Sequence, residues 1–135
     1  FDKTVVVIEK DEDNPYLREC KKKGVHVIIG DGLQTRVYFK AGLKRAADLV
    51  VFTGDDGLNF EIGLMARMLS KPNLNIHLHV TNPQLELQLE DYPKFVQNYS
   101  QARINFFNFS LKMSDVFFTS STSVLVISLP VFLRF

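Results

Sequence analysis

The sequence predicts an α/β fold, a doubly wound and mainly parallel sheet, and three observations carry that expectation. Short β-branched strands alternate with helical stretches of about 10 residues, the rhythm of βαβ units. Three of the strands run into acid- and glycine-bearing turns: Glu9-Lys10-Asp11, Gly30-Asp31-Gly32 and Thr53-Gly54-Asp55. The chain of 135 residues is 46% hydrophobic and 23% charged, a one-domain composition able to bury a real core.

The first strand covers residues 4–8, a β-branched run from Thr4 to Ile8. Asn14 then offers an N-cap, Pro15 suits the first helical turn, and Gly24 closes the helix. A second buried-type strand over residues 25–29 leads through the Gly-Asp-Gly turn into a helix over 33–41 that stops at Gly42. The third strand, residues 49–52, ends in Thr53-Gly54-Asp55-Asp56-Gly57. Leu58, Ile62, Met65 and Leu69 then recur on one helical face, with Asp55 or Asp56 as the cap and Pro72 as the stop. A fourth strand is expected over residues 76–80 and a short helix from Asn82-Pro83 to about Glu90. A strand over 104–107 and a helix from Phe109 to Phe118 follow. Residues 1–118 are read as the sheet domain, and 119–135 as a hydroxyl-rich linker with an apolar tail.

A net charge of +1 selects no class of partner. Lys21, Lys22 and Lys23 form the tight basic cluster, and at a helix end they favour the negative pole of its dipole, so nucleic-acid binding is not expected. The single cysteine, Cys20, is read as a buried structural thiol in a reducing compartment. No apolar run reaches the ~20 residues needed to span a bilayer. His77 and His79 alternate along a strand, which suits either two metal ligands or two ordinary histidines, and no third ligand stands at a recognisable spacing. Met65 and Met68 are assigned to the core. The hydroxyl groups of residues 119–123 have no base at a recognisable spacing, so nucleophilic catalysis is not expected.

Doubly wound sheets bind ligands outside the carboxyl ends of their strands, and the three turns fall on that rim. Glu9 suits both hydroxyls of an adenosine ribose, and an acid there repels the extra phosphate of NADP, which favours NAD(H) or an adenine nucleotide. Asp31, between Gly30 and Gly32, lets the backbone approach an adenine edge. Lys10, Thr53, Gly54 and Asp55 complete the candidate set. The same residues also suit helix caps and turns, and that reading stands beside the ligand one.

The segments "VVVIEKDEDN", "HVIIGDG", "AGLKRAADLVVFTGDDGLNFEIGLMAR" and "HVTNPQLELQLED" resemble consecutive parts of the TrkA-N or RCK family, the nucleotide-binding regulatory domains of potassium channels and transporters. The resemblance spans about residues 4–118 and implies a Rossmann-like, non-enzymatic domain that takes NAD(H) or ATP/ADP. It implies that Glu9 faces the ribose, that Asp31 and Gly32 lie beside the adenine, and that Thr53 and Gly54 close the other side. It further implies a potassium channel or transporter membrane subunit as partner, a cytoplasmic place at the inner face of the membrane, and a homo-oligomer through the helix between Phe109 and Phe118.

Members of that family begin with a strand and a Gly-x-Gly-x-x-Gly turn whose amides bind a diphosphate at a helix N-terminus. That pattern does not precede Thr4. In the usual strand order 3-2-1-4-5-6 the missing first strand is the central one, between the strands of residues 4–8 and 49–52. The expectation is a fragment or a chain that borrows a strand, with dinucleotide binding weak or absent in this chain alone. The run Val124-Leu125-Val126-Ile127-Ser128-Leu129 has the character of a central parallel strand and is a candidate for that position, in cis or from a second subunit. Two competing readings are a fragment of an NAD-dependent dehydrogenase and a dimerisation module whose nucleotide site has decayed.

Overall fold

The structure is a computed structural model and describes residues 3–85, 104–108 and 124–130. The expected helix end near Glu90, the helix from Phe109 to Phe118 and the break at 119–123 lie outside the described residues. The fold is α/β and Rossmann-like. Its elements are β1 (Lys3–Glu9), α1 (Tyr16–Lys22), β2 (His26–Ile29), α2 (Thr35–Ala41), a 3-10 turn (Leu43–Arg45), β3 (Asp48–Phe52), α3 (Asp56–Leu69), β4 (Asn75–His79), β5 (Ile104–Phe107) and β6 (Val124–Pro130). The sheet order is β2-β1-β6-β3-β4-β5.

Local chemistry accounts for the boundaries. The side chain of Asn14 accepts the Tyr16 N–H at 3.0 Å, so it caps the first turn of α1 as its sequence position suggests. Gly24 and Gly42 follow α1 and α2 at φ 74° and 76°, the left-handed conformation that releases a chain from a helix and that side-chain-bearing residues rarely adopt. The helix expected over 33–41 starts later, at Thr35, because Asp31 first forms a turn: its Oδ1 accepts the Leu33 N–H at 2.9 Å and its carbonyl accepts the Gln34 N–H at 2.9 Å. Asp55, rather than Asp56, caps α3, accepting the Leu58 N–H at 2.7 Å.

The central position of the sheet is taken by β6. Its register sets Val7 against Val126 of β6, and Val50 of β3 against the same residue. Both neighbours therefore find ladder partners for amides and carbonyls that would each cost about 1 to 3 kcal/mol if buried unpaired. The expected direction was parallel, and this is corrected: β6 runs antiparallel to both β1 and β3, while β1 with β2, β3 with β4 and β4 with β5 are parallel pairs. The ends of the strands supply the reason. β5 finishes at Phe107 beside His79, on the carboxyl rim, and Val124 enters between Glu9 and Phe52 on that same rim. A chain that leaves and re-enters a sheet on one rim arrives antiparallel, whereas a parallel entry needs a crossover to the opposite rim.

One core cluster joins Val6 and Ile8 of β1, Leu49 and Val51 of β3, and Ile76 and Leu78 of β4 to α2 and α3. Alternate residues of a strand share a face, so α2 and α3 lie against one face of the sheet. The approach of α3 is close: a Cβ placed on Gly63 would stand 2.7 Å from Leu78 Cδ2. Met65 packs against this cluster as expected, but Met68 is 86% exposed and its assignment to the core is corrected. At helical spacing Met68 falls one position before the stripe residue Leu69, about 100° around the helix from it. Cys20, expected to be buried, is half-buried.

Candidate functional site

The site lies where β1, β2 and β3 end. Glu9, the last residue of β1, is 1% exposed. Its Oε1 accepts the Asp11 N–H at 2.9 Å and its Oε2 accepts the Asn14 side-chain amide at 2.9 Å. A buried carboxylate needs such donors, and here they also shape the loop that carries the chain into α1. At the end of β2, the Gly30 N–H donates to the Glu9 carbonyl at 2.8 Å and continues the parallel ladder past Ile29. A Cβ at Gly30 would stand 2.9 Å from Val37 Cγ2, so glycine lets the turn settle onto α2.

Asp31 sits at the mouth of the site, 3.3 Å from the Lys10 ammonium. The Leu33 N–H, chiefly, together with Lys10 holds its carboxyl below the ordinary aspartate range, against a smaller opposing effect of burial. Tyr38 rises from α2 beneath the turn and donates its hydroxyl to the Gly32 carbonyl. Burial, reinforced by the Asp31 charge, pushes the Tyr38 phenol well above its usual range, so it remains a donor.

A cleft of about 90 Å³ opens among Ile8, Lys10, Gly30, Asp31, Gly32 and Leu33, with Leu58 and Ile62 of α3 forming its far wall. Of the residues singled out in the sequence, Lys10, Gly30, Asp31 and Gly32 line this cleft, whereas Glu9, Thr53, Gly54 and Asp55 are not among its lining residues. Ile8, Leu33, Leu58 and Ile62 also line the cleft without a site signal in the sequence: Ile8 reads as part of the first strand, and Leu58 and Ile62 belong to the periodic stripe, whose spacing marks a buried face but not a ligand wall.

The third turn is organised for structure. Thr53 is 3% exposed, donates its N–H to the Asn59 side-chain oxygen at 2.8 Å and donates its hydroxyl to the Asp55 carbonyl at 3.0 Å. Asn59, fully buried, donates its amide to the His79 carbonyl at 2.9 Å and so ties the end of β3 to the end of β4. Nothing in the apolar stripe flagged this residue; a lone asparagine one position after Leu58 was the available signal. Asp56 accepts the backbone N–H of Thr81, at 2.8 Å for the shorter of two contacts, and that of Asn82 at 2.9 Å, which draws the segment after β4 to the start of α3.

The two histidines have separate surroundings. His77 lies 3.5 Å from Asp48, whose carboxylate also accepts the Asn75 amide at 3.3 Å. His79 is 6% exposed between Phe52 and Phe107, with ring centroids 4.1 and 5.4 Å away. Burial holds the His79 imidazole below its ordinary range, against a weaker pull upward from Asp56. Among the described residues no group of three or more His, Cys, Asp or Glu side chains is placed to hold a metal, and no helix is long and apolar enough to cross a membrane.

No curated protein and no solved structure matches the chain. The family model of the TrkA-N domain matches residues 2–93. Parallel strands, acid- and glycine-bearing turns on the carboxyl rim and this match agree: the chain belongs to the TrkA-N domain family, whose members are nucleotide-binding regulatory domains of potassium transport.

Proposed function

We propose that this chain senses an adenine nucleotide, NAD(H) or ATP/ADP, and passes its bound state to a potassium channel or transporter subunit at the cytoplasmic face of the membrane. The observation that carries the reading is the convergence of Lys10, Gly30, Asp31 and Gly32 on one cleft, beside the buried Glu9. The adenine ring would lie against Ile8, Leu33, Leu58 and Ile62, with its edge toward the backbone of the Gly-Asp-Gly turn. Each Glu9 oxygen accepts one bond from the chain and has lone-pair capacity for another, which suits a ribose hydroxyl. Thr53, Gly54 and Asp55 would bound the ligand on the β3 side. No chemical step is required: a ligand that binds one packing of the domain more tightly than another shifts the equilibrium by that difference in affinity. A homo-oligomer through the helix between Phe109 and Phe118 would carry the shift to the membrane subunit, a proposal supported by the family resemblance alone.

A second reading, a dimerisation module with an unused nucleotide site, is favoured by the direction of β6. It brings the start of a strand to the rim, where a strand end leading into a helix N-terminus would otherwise offer amides to a diphosphate. Titration of the chain with NADH, ATP and ADP, followed by amide chemical shifts, separates the two. The sensing reading expects saturable shifts at residues 8–10 and 30–33, with affinity near a millimolar, about 4 kcal/mol of binding free energy. Unchanged spectra with all three ligands at about ten times that concentration would leave the dimerisation module.

A further inference from the structure

A net charge of +1 conceals unlike ends of the sheet. Each of α1, α2 and α3 leads from the carboxyl end of one strand back to the start of a parallel one, so their C-termini collect at the amino rim, opposite the cleft. Acids gather in the turns and helix starts of the carboxyl rim: Asp11, Glu12, Asp13, Asp31, Asp55 and Asp56. Exposed cations gather at the other. Lys21, Lys22 and Lys23 close α1, Lys40 stands in the last turn of α2, Lys44 and Arg45 follow in the 3-10 turn, and Lys71 comes just after α3.

Part of this basic set belongs to α2, α3 and the turns after them, which pack on one face of the sheet, and exposed apolar side chains stand in the same place. Phe39 of α2 is 56% exposed and Met68, in the last turn of α3, is 86% exposed. The Lys44 ammonium lies 5.5 Å from the centre of the Phe39 ring. Among the described residues, none of Lys40, Lys44, Arg45 and Lys71 has an acidic partner. A helix dipole favours a lysine in the last turn and fades beyond it, so it accounts for Lys40 but not for Lys44, Arg45 or Lys71. It does not account for Phe39 or Met68 at all.

We propose that this corner of the amino rim, formed by Phe39, Lys40, Lys44, Arg45, Met68 and Lys71, docks directly on an anionic lipid surface. Phe39 and Met68 enter the boundary between headgroups and acyl chains, and the cations around them meet the lipid phosphates and carboxylates. The acidic carboxyl rim is then turned away from the bilayer, which leaves the cleft open to solvent. Other occupants fit only part of the patch. The acidic rim of a second copy satisfies the cations but sets Phe39 and Met68 against charged side chains. A nucleic acid stacks a base on Phe39 but finds no ring at Met68. This contact is additional to a membrane subunit as partner and needs no bound nucleotide, so the nucleotide reading stands or falls separately.

The test is cosedimentation of the full chain with vesicles of phosphatidylcholine alone and of phosphatidylcholine with phosphatidylserine, roughly three to one. The expected result is binding to the mixed vesicles, none to phosphatidylcholine alone, and loss of binding at about 1 M salt, where the Debye length is about 3 Å. Lys44→Glu with Arg45→Glu should weaken binding roughly tenfold or more, and Phe39→Ser roughly fivefold to tenfold. Lys21→Glu with Lys22→Glu makes the same change of net charge at the end of α1, outside this corner, and should weaken binding much less. All of these side chains are exposed, so unchanged thermal unfolding confirms that each variant is folded. An equal loss from the Lys21 and Lys22 pair shows attraction to net charge alone and overturns the proposal, as does absence of binding to the mixed vesicles. Tighter binding to single-stranded RNA through the same residues, or salt-sensitive self-association without vesicle binding, assigns the patch to those partners and overturns it as well.

Discussion

Asn14 donates its side-chain amide to Glu9 Oε2 at 2.9 Å while its own Oδ1 accepts the Tyr16 N–H at 3.0 Å. One side chain therefore satisfies a buried carboxylate and caps the helix that follows. Asn14→Ala removes both bonds and should lower unfolding stability by about 2 to 3 kcal/mol, combining a lost cap with a lost bond to a charged group. Asn14→Ser keeps an oxygen for the cap and should recover about 1 kcal/mol of that loss. Urea denaturation of both variants decides the matter; equal losses would show that the cap contributes nothing.

Asn59 is the corresponding tie on the other side of the sheet. Asn59→Ala leaves the Thr53 N–H and the His79 carbonyl buried without this partner, with an expected cost of about 2 to 5 kcal/mol. Asn59→Asp presents an acceptor to the His79 carbonyl and should be no better tolerated at neutral pH. An aspartate variant as stable as the parent in thermal unfolding would remove Asn59 from this role.

Gly63 permits α3 to approach β4. Gly63→Ala sets a methyl group 2.7 Å from the Leu78 side chain and should cost about 1 to 3 kcal/mol through overpacking. Trimming the obstacle with Leu78→Ala should make the double variant less damaged than the sum of the two single losses, by about 0.5 kcal/mol or more. Strict additivity in denaturant melts would place the strain elsewhere.

His79 is held below its usual protonation range by burial. The unfolded chain then binds more protons than the folded one once pH falls below the unfolded histidine value near 6.5, so this contribution to stability is present above that value and declines as pH falls through it. His79→Phe retains an aromatic ring between Phe52 and Phe107 and removes the titrating group. The slope of stability between about pH 7 and pH 5 should flatten in this variant, and an unchanged slope would assign the dependence to other groups.

β6 supplies ladder partners to both β1 and β3. In hydrogen exchange, residues 124–129 should be protected, and deleting Val124–Pro130 should release protection of residues 4–8 as well. Fast exchange across the tail of a still-folded chain would contradict the central placement of β6.

Local sequence determined much of this protein. The β-branched run after Lys3, the Asn14 and Asp55 caps and the releases at Gly24 and Gly42 all act through backbone preferences and contacts a few residues apart, and they appear where the residues suggest. The turns at Glu9, Asp31 and Thr53 were legible for the same reason. Tertiary structure decided what those turns do. Whether an acid meets its own loop or a cleft depends on which elements stand opposite: Glu9 turned to Asn14, Asp31 to Lys10, and Thr53 to Asn59, a residue no local pattern singled out. The place and direction of β6 were settled the same way. A β-branched apolar run fits a parallel or an antiparallel ladder equally well, because its side chains alternate in either, and only the positions of β1, β3 and the rim on which the chain returns select between them.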